Sequence, residues 1–297
     1  MPHEGMPFIP HDQILSYEEM LRLCRIMASL GVSRFKVTGG EPLCRKGAAG
    51  FIKELAHLPG VEEVTLTSNG SLLEPRLAEL AAAGVRRITF SCDAFDQETF
   101  ARLSRSDTSL ETVLRAMERA AGYGMPVKIN TVPLKGYNDA QLVPLARYAL
   151  ERGYHIRFIE LMPVGRARTL EGVPQDALFG ALEREFGPLR PVERTTGNGP
   201  AVVYDVKGYP GLIGFIAALS GRFCNSCNRV RLTSTGFLKT CLCHDAGVDC
   251  RPPVRSGATD GELADRIRNA VRDKPVGHTF SFAGQEQSPF FMNSVGG

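Results

Sequence analysis

The hydrophobic periodicity of a strand and that of a helix alternate along the first 163 residues of the chain. Short apolar or alternating runs predict strands, and longer runs with apolar residues three or four apart predict helices. The predicted strands are Arg34–Thr38, Glu63–Thr67, Arg87–Ser91, Val127–Val132 and His155–Glu160. The predicted helices are Tyr17–Leu30, Ala48–Leu58, Glu74–Ala82, Leu110–Ala121 and Asp139–Arg152. This alternation predicts an α/β fold with parallel strands and crossover helices, either an open barrel or a doubly wound sheet.

Polar residues lie at the carboxyl end of each predicted strand. They are Thr38 to Glu41, Thr67 to Gly70, Ser91 to Asp93, Lys128 with Asn130, and Arg157 with Glu160. Such folds bind ligands at this edge of the sheet, so we expect a ligand site here. Asn69-Gly70 and Asp93 are also compatible with ordinary turns or helix caps. The string Gly39-Gly40-Glu41-Pro42 fits a tight turn, but its place after a strand favours a ligand loop, because glycine lets the backbone approach a ligand closely.

The strand–helix rhythm stops after Pro163. A helix is predicted over Gln175–Phe186, and short apolar runs separated by prolines predict further strands. These strands are Ala201–Val206, Leu212–Ile216, Val230–Thr233 and Phe237–Leu242. We therefore predict two domains, residues 1–163 and residues 164–297, of which the second is a smaller strand-rich domain or a cap on the first.

Composition excludes several classes of protein. The chain has 35 Lys and Arg against 32 Asp and Glu, and this small surplus does not indicate a protein that binds nucleic acid. The longest apolar stretch, about Leu212 to Leu219, is far shorter than the roughly 20 residues of a membrane span. No signal-peptide pattern follows Met1. We expect a cytoplasmic protein with reduced thiols.

Eight cysteines remain to be explained, and five of them lie close together near residue 240. The string Cys224-Asn-Ser-Cys227 is followed 14 residues later by Cys241. Between them, Ser234-Thr235-Gly236 predicts a hairpin turn. Folding the chain back at this turn places Cys241 opposite about Arg229 or Val230, within a few ångströms of the first two cysteines. The sequence therefore predicts that three thiolates converge on one metal site.

The spacing of these thiols leaves the identity of the metal open. A structural zinc ion needs four N or S ligands, and Cys243, His244 or Cys250 could supply the fourth. An iron–sulfur cluster is also held by thiolates, and three protein ligands would leave one iron open to a substrate. Arg229 and Arg231 lie two apart on one strand, so they share a face that suits phosphate or carboxylate, although a solvated strand edge is the alternative.

The chain also resembles a known family through motifs that extend nearly from end to end. These motifs are Phe35-Lys-Val-Thr-Gly-Gly-Glu-Pro42, Leu66-Thr-Ser-Asn-Gly70, Ser91 with Asp93, Val127-Lys-Ile-Asn130, Ile156-Arg-Phe-Ile-Glu-Leu-Met162, Phe223-Cys-Asn-Ser-Cys-Asn-Arg-Val-Arg231 with Cys241, and Gly296-Gly297. They resemble those of the radical S-adenosylmethionine GTP 3′,8-cyclases of molybdenum-cofactor biosynthesis. The resemblance implies a partial (β/α)6 radical-SAM barrel with a smaller C-terminal α+β domain that binds an iron–sulfur cluster. It also implies a lyase that converts GTP to (8S)-3′,8-cyclo-7,8-dihydroguanosine 5′-triphosphate with a 5′-deoxyadenosyl radical.

The resemblance assigns roles to individual residues. It makes Cys224, Cys227 and Cys241 the ligands of a [4Fe-4S] cluster that binds GTP through its open iron. The positions that match those binding S-adenosylmethionine are Gly39, Gly40, Glu41, Ser91 and Met162. The positions that match those binding GTP are Lys36, Thr67, Lys128, Arg229 and Arg231, and the catalytic candidates are Arg157 and Lys128. Lys36 stands where the family often has arginine, so its phosphate contact would be that of a point charge rather than a planar fork.

One motif of the family is absent from this sequence. The family holds a first [4Fe-4S] cluster with Cys-x3-Cys-x2-Cys, commonly followed by Met-Pro, and this chain begins with Met1-Pro2. We therefore expect an upstream segment of about 25–35 residues with that motif and the first strand, which the barrel here would lack. The first cluster and bound S-adenosylmethionine are expected only in that full-length form. The chain as written should not cleave S-adenosylmethionine.

The resemblance also carries expectations about partners. It implies that the product passes to the next pterin-forming enzyme, and a homodimer is compatible with it. The Gly296-Gly297 end is expected to reach the active site near Lys36, Lys128 and Arg157. The alternative function is a metal-binding module, with zinc or a single cluster, that binds a nucleotide without catalysis.

Overall fold

The computed structural model describes residues 9–192 and 199–280 of the 297-residue chain. These residues form two compact units that alternate along the sequence. The main unit contains Ser68–Leu77 and Arg87–Phe223, and the terminal unit contains the described parts of Pro2–Thr67, Ala78–Arg86 and Cys224–Gly297. None of the described helices combines the length and the hydrophobicity that a membrane span requires.

The strands and helices before Pro163 follow the predicted alternation. In chain order, the strands are β1 (Arg34–Val37), β2 (Glu63–Ser68), β3 (Val85–Ser91), β4 (Val127–Thr131), β5 (His155–Ile159), β6 (Leu189–Pro191), β7 (Val202–Val206), β8 (Leu212–Ile216), β9 (Arg231–Leu232), β10 (Phe237–Lys239) and β11 (Gly247–Asp249). The helices are α1 (Tyr17–Ser29), α2 (Ala48–Ala56), α3 (Leu77–Ala82), α4 (Gln97–Ser104), α5 (Leu110–Gly122), α6 (Leu142–Glu151), α7 (Gln175–Phe186), α8 (Arg251–Arg255) and α9 (Asp260–Arg272). The prediction of an α/β fold with parallel strands and crossover helices is confirmed.

The main unit is built on a mostly parallel sheet. Strand β4 pairs in parallel with β3 and with β5, and β5 pairs in parallel with β8. Strands β7 and β6 extend this sheet in antiparallel fashion. One face is apolar because Phe90, Ile129 and Phe158 alternate with polar neighbours, and all three side chains are buried.

Two strands of the second predicted domain belong to the main sheet. The runs Ala201–Val206 and Leu212–Ile216 are predicted as part of a strand-rich domain or a cap, and the structure joins them, as β7 and β8, to β5 of the main sheet, β8 directly and β7 through β8. Strand β8 is suited to this place because Ile213 and Phe215 are buried on one face, while the other face carries Gly214 between the half-buried Leu212 and Ile216. The small antiparallel sheet of the C-terminal part consists of β9, β10 and β11.

The terminal unit joins the first described residues and α1 to the region that follows the turn at Cys224–Cys227, which we call the cysteine turn. Strands β1 and β2 pair in parallel within it. Arg255 donates hydrogen bonds to the carboxylate of Glu19 and to the backbone carbonyls of Asp12 and Ile14. Arg22 forms an ion pair of 2.7 Å with Asp260 at the start of α9. These contacts hold helices α8 and α9 against the start of the described chain.

Candidate functional site

One face of the main sheet carries polar side chains on three neighbouring strands. The strand register places Ser91, Asn130, Arg157 and Gly214 in one row across β3, β4, β5 and β8. Because strand side chains alternate, residues two positions earlier share this face. We define the inner face as Thr89, Ser91, Lys128, Asn130, His155, Arg157 and Gly214. The structure therefore brings the predicted residues Lys128 and Arg157 together, with Ser91 at the exposed end of β3.

The inner face is cationic although it is buried. Lys128 is 6% exposed and Arg157 is 7% exposed. Burial, and then the charge of Arg87, lower the pKa of Arg157 to about 10, so the guanidinium keeps its charge at neutral pH. Burial, and after it the charges of Lys128, Arg157 and Arg87, lower the pKa of His155 to about 3. A neutral imidazole therefore lies between two buried positive charges.

Some buried polar atoms on this face lack a hydrogen-bond partner among the described residues. Oδ1 of Asn130 and Nε of Arg157 are two such atoms. The Arg157 guanidinium makes one long hydrogen bond, from Nη2 to Oγ1 of Thr89 at 3.4 Å. Buried polar groups are nearly always hydrogen-bonded, so an unmet donor and an unmet acceptor beside buried cations indicate a polar, anionic ligand.

His155 and Gly214 belong to this face, and our sequence analysis did not identify either of them. A Cβ atom at Gly214 would lie 2.8 Å from Nε2 of His155 and 3.1 Å from Cγ of Arg157. The His155 ring and the Arg157 stem therefore pack over the bare backbone of β8. A glycine inside a predicted strand signals such a close approach, and His155 lies two residues before Arg157 on the same face.

The neighbouring strand ends include residues whose contacts are structural. Asn69 accepts a hydrogen bond of 2.9 Å from the Ser71 N–H, which is the turn expected of an Asn-Gly pair. Asp93 accepts a hydrogen bond of 2.7 Å from the Val132 N–H and so connects the ends of β3 and β4. Glu160 accepts hydrogen bonds from the backbone that follows β8. Met162 is half-buried, just beyond β5.

Replacing Asp93 by asparagine should remove a pH-dependent loss of stability. Burial raises the pKa of Asp93 to about 6, against the lowering effect of the Val132 hydrogen bond. Below about pH 3 the carboxyl is protonated in both the folded and the unfolded chain, so it has no effect on stability there. As the pH rises towards 6, the unfolded chain ionises first, and the wild-type free energy of unfolding falls by about 2–3 kcal/mol.

Chemical denaturation of both proteins from pH 4 to pH 8 would measure this difference. Asparagine keeps an oxygen that can accept the Val132 N–H, so the variant should become progressively more stable than the wild type as the pH rises. Asp96→Asn is the matched control, because hydrogen bonds, first that of the Thr99 backbone, lower the pKa of Asp96. Parallel pH curves for wild type and Asp93→Asn would contradict the prediction.

The predicted ligand loop after β1 lies in the terminal unit. A Cβ atom at Gly39 or Gly40 would have no other heavy atom within 4 Å, so the loop has open space beside it. Glu41 accepts a hydrogen bond of 3.1 Å from the Leu43 N–H, which caps the short turn that follows. Lys36 is exposed on β1, whereas Thr67 is buried on β2 with no hydrogen-bond partner for Oγ1 among the described residues.

The cysteine turn of the terminal unit has the predicted hairpin geometry. The Cys227 N–H donates to the Cys224 carbonyl at 3.0 Å, and β9 pairs antiparallel with β10. The register pairs Lys239 with Arg231, and Cys241 and Arg229 each lie two residues beyond this last pair, so their opposition stays a prediction. The residues Cys224, Cys227 and Cys241 are all half-buried and have free thiols.

Two of these three thiols affect the pKa of a single arginine, Arg231. Burial lowers the pKa of Arg231, whereas Cys227 and Cys241 raise it, so both sulfurs lie close enough to Arg231 to affect its charge. Burial alone would raise the pKa of Cys227. Hydrogen bonds and the positive charge of Arg229, together with the charge of Lys274, outweigh burial and lower this pKa to about 7.

The chemistry of this donor set fits an iron–sulfur cluster. The turn offers three free thiols, and one of them ionises near neutral pH, which is the form that binds metal. Cys250 does not fit, because it is buried and burial raises its pKa to about 11. Within residues 9–192 and 199–280, no three His, Cys, Asp or Glu side chains are gathered closely enough to hold a metal ion. The convergence of all three thiols therefore stays a prediction.

Comparison with known proteins gives the same family over the whole chain. Residues 2–149 match the Radical SAM superfamily, and residues 154–280 match Molybdenum Cofactor Synthesis C. The GTP 3′,8-cyclase of Paracoccus denitrificans is 41% identical over 99% of this chain and 87% of that protein. The GTP 3′,8-cyclase of Moorella thermoacetica is 38% identical over 100% of this chain and 92% of that protein.

A solved structure supports the fold. The crystal structure of Streptococcus suis SuiB bound to S-adenosylmethionine is similar with a TM-score of 0.62, covering 87% of this chain and 61% of that chain. Its sequence identity is 12%, so this likeness concerns the fold alone. The sequence relatives carry the assignment further, because they combine high identity with nearly complete coverage of both proteins. The chain therefore belongs to the GTP 3′,8-cyclase family of radical S-adenosylmethionine enzymes.

Proposed function

We propose that this chain acts on GTP as a 3′,8-cyclase in molybdenum-cofactor biosynthesis. The observation that carries the proposal is the inner face, where buried cations lie beside a buried donor and a buried acceptor without partners among the described residues. A ligand that satisfies this face must bring both negative charge and further polar atoms. GTP has a triphosphate and a polar guanine ring, and the relatives above are named for their reaction with GTP.

In this proposal, Arg157 and Lys128 bind and orient the nucleotide. Both side chains are nearly fully buried, so water competes little with their hydrogen bonds, and a charge-assisted hydrogen bond is stronger there than in bulk water. The Nε–H of Arg157 is a donor that the described protein does not use. His155 stays neutral beside them, so it adds no further repulsion between cations.

We also propose that Cys224, Cys227 and Cys241 hold a [4Fe-4S] cluster. The support is the β9–β10 register, the shared effect of two of the sulfurs on Arg231, and the lowered pKa of Cys227. When bound, this cluster and the S-adenosylmethionine cluster of the family would supply an open iron and the radical chemistry. The protein's own contribution is to fix the three thiols and the nucleotide and to keep water out.

Reconstitution of the chain with iron and sulfide under anaerobic conditions tests this function. The protein should absorb broadly near about 400 nm and bind about four irons, as a [4Fe-4S] cluster does. Addition of GTP, but not of ATP, should change the electron paramagnetic resonance spectrum of the reduced cluster. Cys224→Ala, Cys227→Ala and Cys241→Ala should each lose most of the iron, because each variant removes one of the three thiolates proposed to hold the cluster.

The matched controls are Cys243→Ala and Cys250→Ala, which should keep the wild-type iron content. Cys243 Sγ instead accepts a hydrogen bond of 3.4 Å from the Thr279 N–H, and Cys250 is fully buried. Equal loss of iron in the Cys243 variant would show that the ligand set is wrong. A colourless protein that holds one zinc ion would support the alternative of a non-catalytic metal-binding module.

The remaining family positions are proposals of the same kind. They are Gly39, Gly40, Glu41, Ser91 and Met162 for S-adenosylmethionine and Lys36, Thr67, Arg229 and Arg231 for GTP. We also propose the division into residues 1–163 and 164–297 as a division of the sequence, which the two family matches support, with β7 and β8 of the second part completing the main sheet. Transfer of the product to the next pterin-forming enzyme, a homodimer and a cytoplasmic location are further proposals. The expected role of Gly296-Gly297 lies outside the described residues.

A further inference from the structure

A short segment after helix α9 lies against the cysteine turn. We call residues 274–279 the strap. A Cβ atom at Gly277 would lie 3.9 Å from Sγ of Cys224. The Gly277 carbonyl lies 3.0 Å from Nε2 of His244, which can only donate to it. The strap therefore contacts the turn itself and the loop that follows Cys241.

Lys274 begins the strap and makes three contacts through one ammonium group. Its Nζ donates to the carbonyl oxygen of Cys227 at 2.7 Å and to that of Arg229 at 3.0 Å. It also lies 3.4 Å from Sγ of Cys227. An ammonium group has three N–H donors, so these contacts use all of them. Lys274 holds both the backbone of the turn and the sulfur of one proposed ligand.

The position of this ammonium is fixed by the helix before it. Helix α9 begins with a capping box in which Thr259 and Glu262 exchange hydrogen bonds, and it buries Leu263 and Ile267. The Lys274 N–H continues the helix end by donating to the Val271 carbonyl at 3.2 Å. Since Arg22 of α1 also pairs with the start of α9, the Lys274 stem leaves from a well-anchored backbone.

We infer that Lys274 is a positioning residue for the cluster, which holds the Cys227 ligand and raises the reduction potential of the iron. The inference rests on the proposed cluster at Cys224, Cys227 and Cys241. Hydrogen bonds to thiolate sulfur and nearby positive charge are two of the factors that set the potential of such clusters. Reduction adds a negative charge, and a cation 3.4 Å from a ligand sulfur stabilises the reduced form more than the oxidised one.

The test is the reduction potential of the reconstituted chain, followed by electron paramagnetic resonance during a redox titration. Lys274→Gln removes the charge but keeps a polar side chain, so the cluster should have a lower potential than in the wild type. Lys274→Arg keeps the charge and the N–H donors, so its potential should stay close to the wild-type value. Lys53→Gln is the matched control, because Lys53 is an exposed residue of α2 in the same unit.

The outcomes separate this inference from the proposed function. A lower potential in Lys274→Gln, with rescue by Lys274→Arg and no change in Lys53→Gln, would support the positioning role. A wild-type potential in Lys274→Gln would overturn that role while leaving the cluster assignment intact. Failure of the wild type to take up iron at the three cysteines would overturn the cluster assignment and this inference with it. Lys274→Gln could also fail to hold iron while Lys274→Arg keeps it. This difference in iron content would support the part of the inference that Lys274 holds the ligand turn in place.

Discussion

Replacing Asp245 by alanine should lower the free energy of unfolding by about 3 kcal/mol, because it deprives a buried ammonium group of an ion-pair partner. The Lys239 side chain has no exposed surface, and its Nζ lies 2.7 Å from Oδ1 of Asp245. Breaking a buried ion pair costs more than the pair itself contributes, since the remaining charge stays buried. Asp245 is 46% exposed, so we expect the lower end of the usual range. Denaturation by urea would measure the change.

The same experiment on Asp265→Ala provides the control. Asp265 pairs with Arg268 on α9, but both side chains are more than half exposed. Loss of such a surface pair should cost no more than about 1 kcal/mol. Equal losses in the two variants would mean that the burial of Lys239 does not matter. Asp245→Ala should also loosen the loop that carries Cys241, because Lys239 and Asp245 lie at its two ends.

Much of the fold could be predicted from hydrophobic periodicity because the core elements are strongly patterned. Helix α5 buries Leu110, Val113 and Met117, which lie three or four residues apart. Helix α4 was not predicted, because it is only 8 residues long and buries one residue, Phe100, which is too short a pattern to recognise. Its start is marked instead by Asp96, whose side chain caps the first turn at the Thr99 N–H.

The partners of strands were harder to predict than the strands themselves. The run Leu212–Ile216 was predicted with the bounds that the structure has, but its parallel pairing with β5, from His155–Leu212 to Ile159–Ile216, joins residues 57 apart in sequence. Local sequence does not encode that choice. Antiparallel pairing across the Ser234–Gly236 turn was predictable, because a tight turn fixes the register of the strands on either side.

The candidate site also contains some residues that the local sequence predicts and others that depend on contacts with distant parts of the chain. Lys128 and Arg157 were recognisable as polar residues of buried strands, but they lie second in β4 and in the middle of β5 rather than at the strand ends. The metal site of the three cysteines stays a prediction. The roles of Gly214 and Lys274 could not be predicted, because each acts on a residue far away in sequence: Gly214 leaves space for Arg157, and Lys274 contacts Cys227. His155 was accessible to the alternation rule, since it shares a face with Arg157 and is buried like it.

Arg157 is the inner-face residue whose loss should most weaken binding of the nucleotide. Its guanidinium is charged, nearly fully buried and engaged by one long hydrogen bond to Thr89, while Nε has no partner among the described residues. A phosphate oxygen that binds here would therefore accept a hydrogen bond from a donor that burial already shields from bulk water. Since no existing strong hydrogen bond must break, most of the interaction would appear as affinity.

Arg157→Met should accordingly weaken GTP binding by about 1.5–3 kcal/mol, the range for a hydrogen bond to a charged group, or roughly 10-fold to 150-fold in dissociation constant. Methionine keeps an unbranched stem over Gly214 and removes only the charged head, so the sheet should stay folded. Isothermal titration calorimetry on the reconstituted chain would measure the loss. Guanosine, which lacks phosphates, should bind equally well to variant and wild type, and Arg190→Met, at an exposed residue of β6, should bind GTP normally. Unchanged GTP affinity in Arg157→Met would remove Arg157 from the phosphate site, and an equal loss for guanosine would assign it to the ring instead.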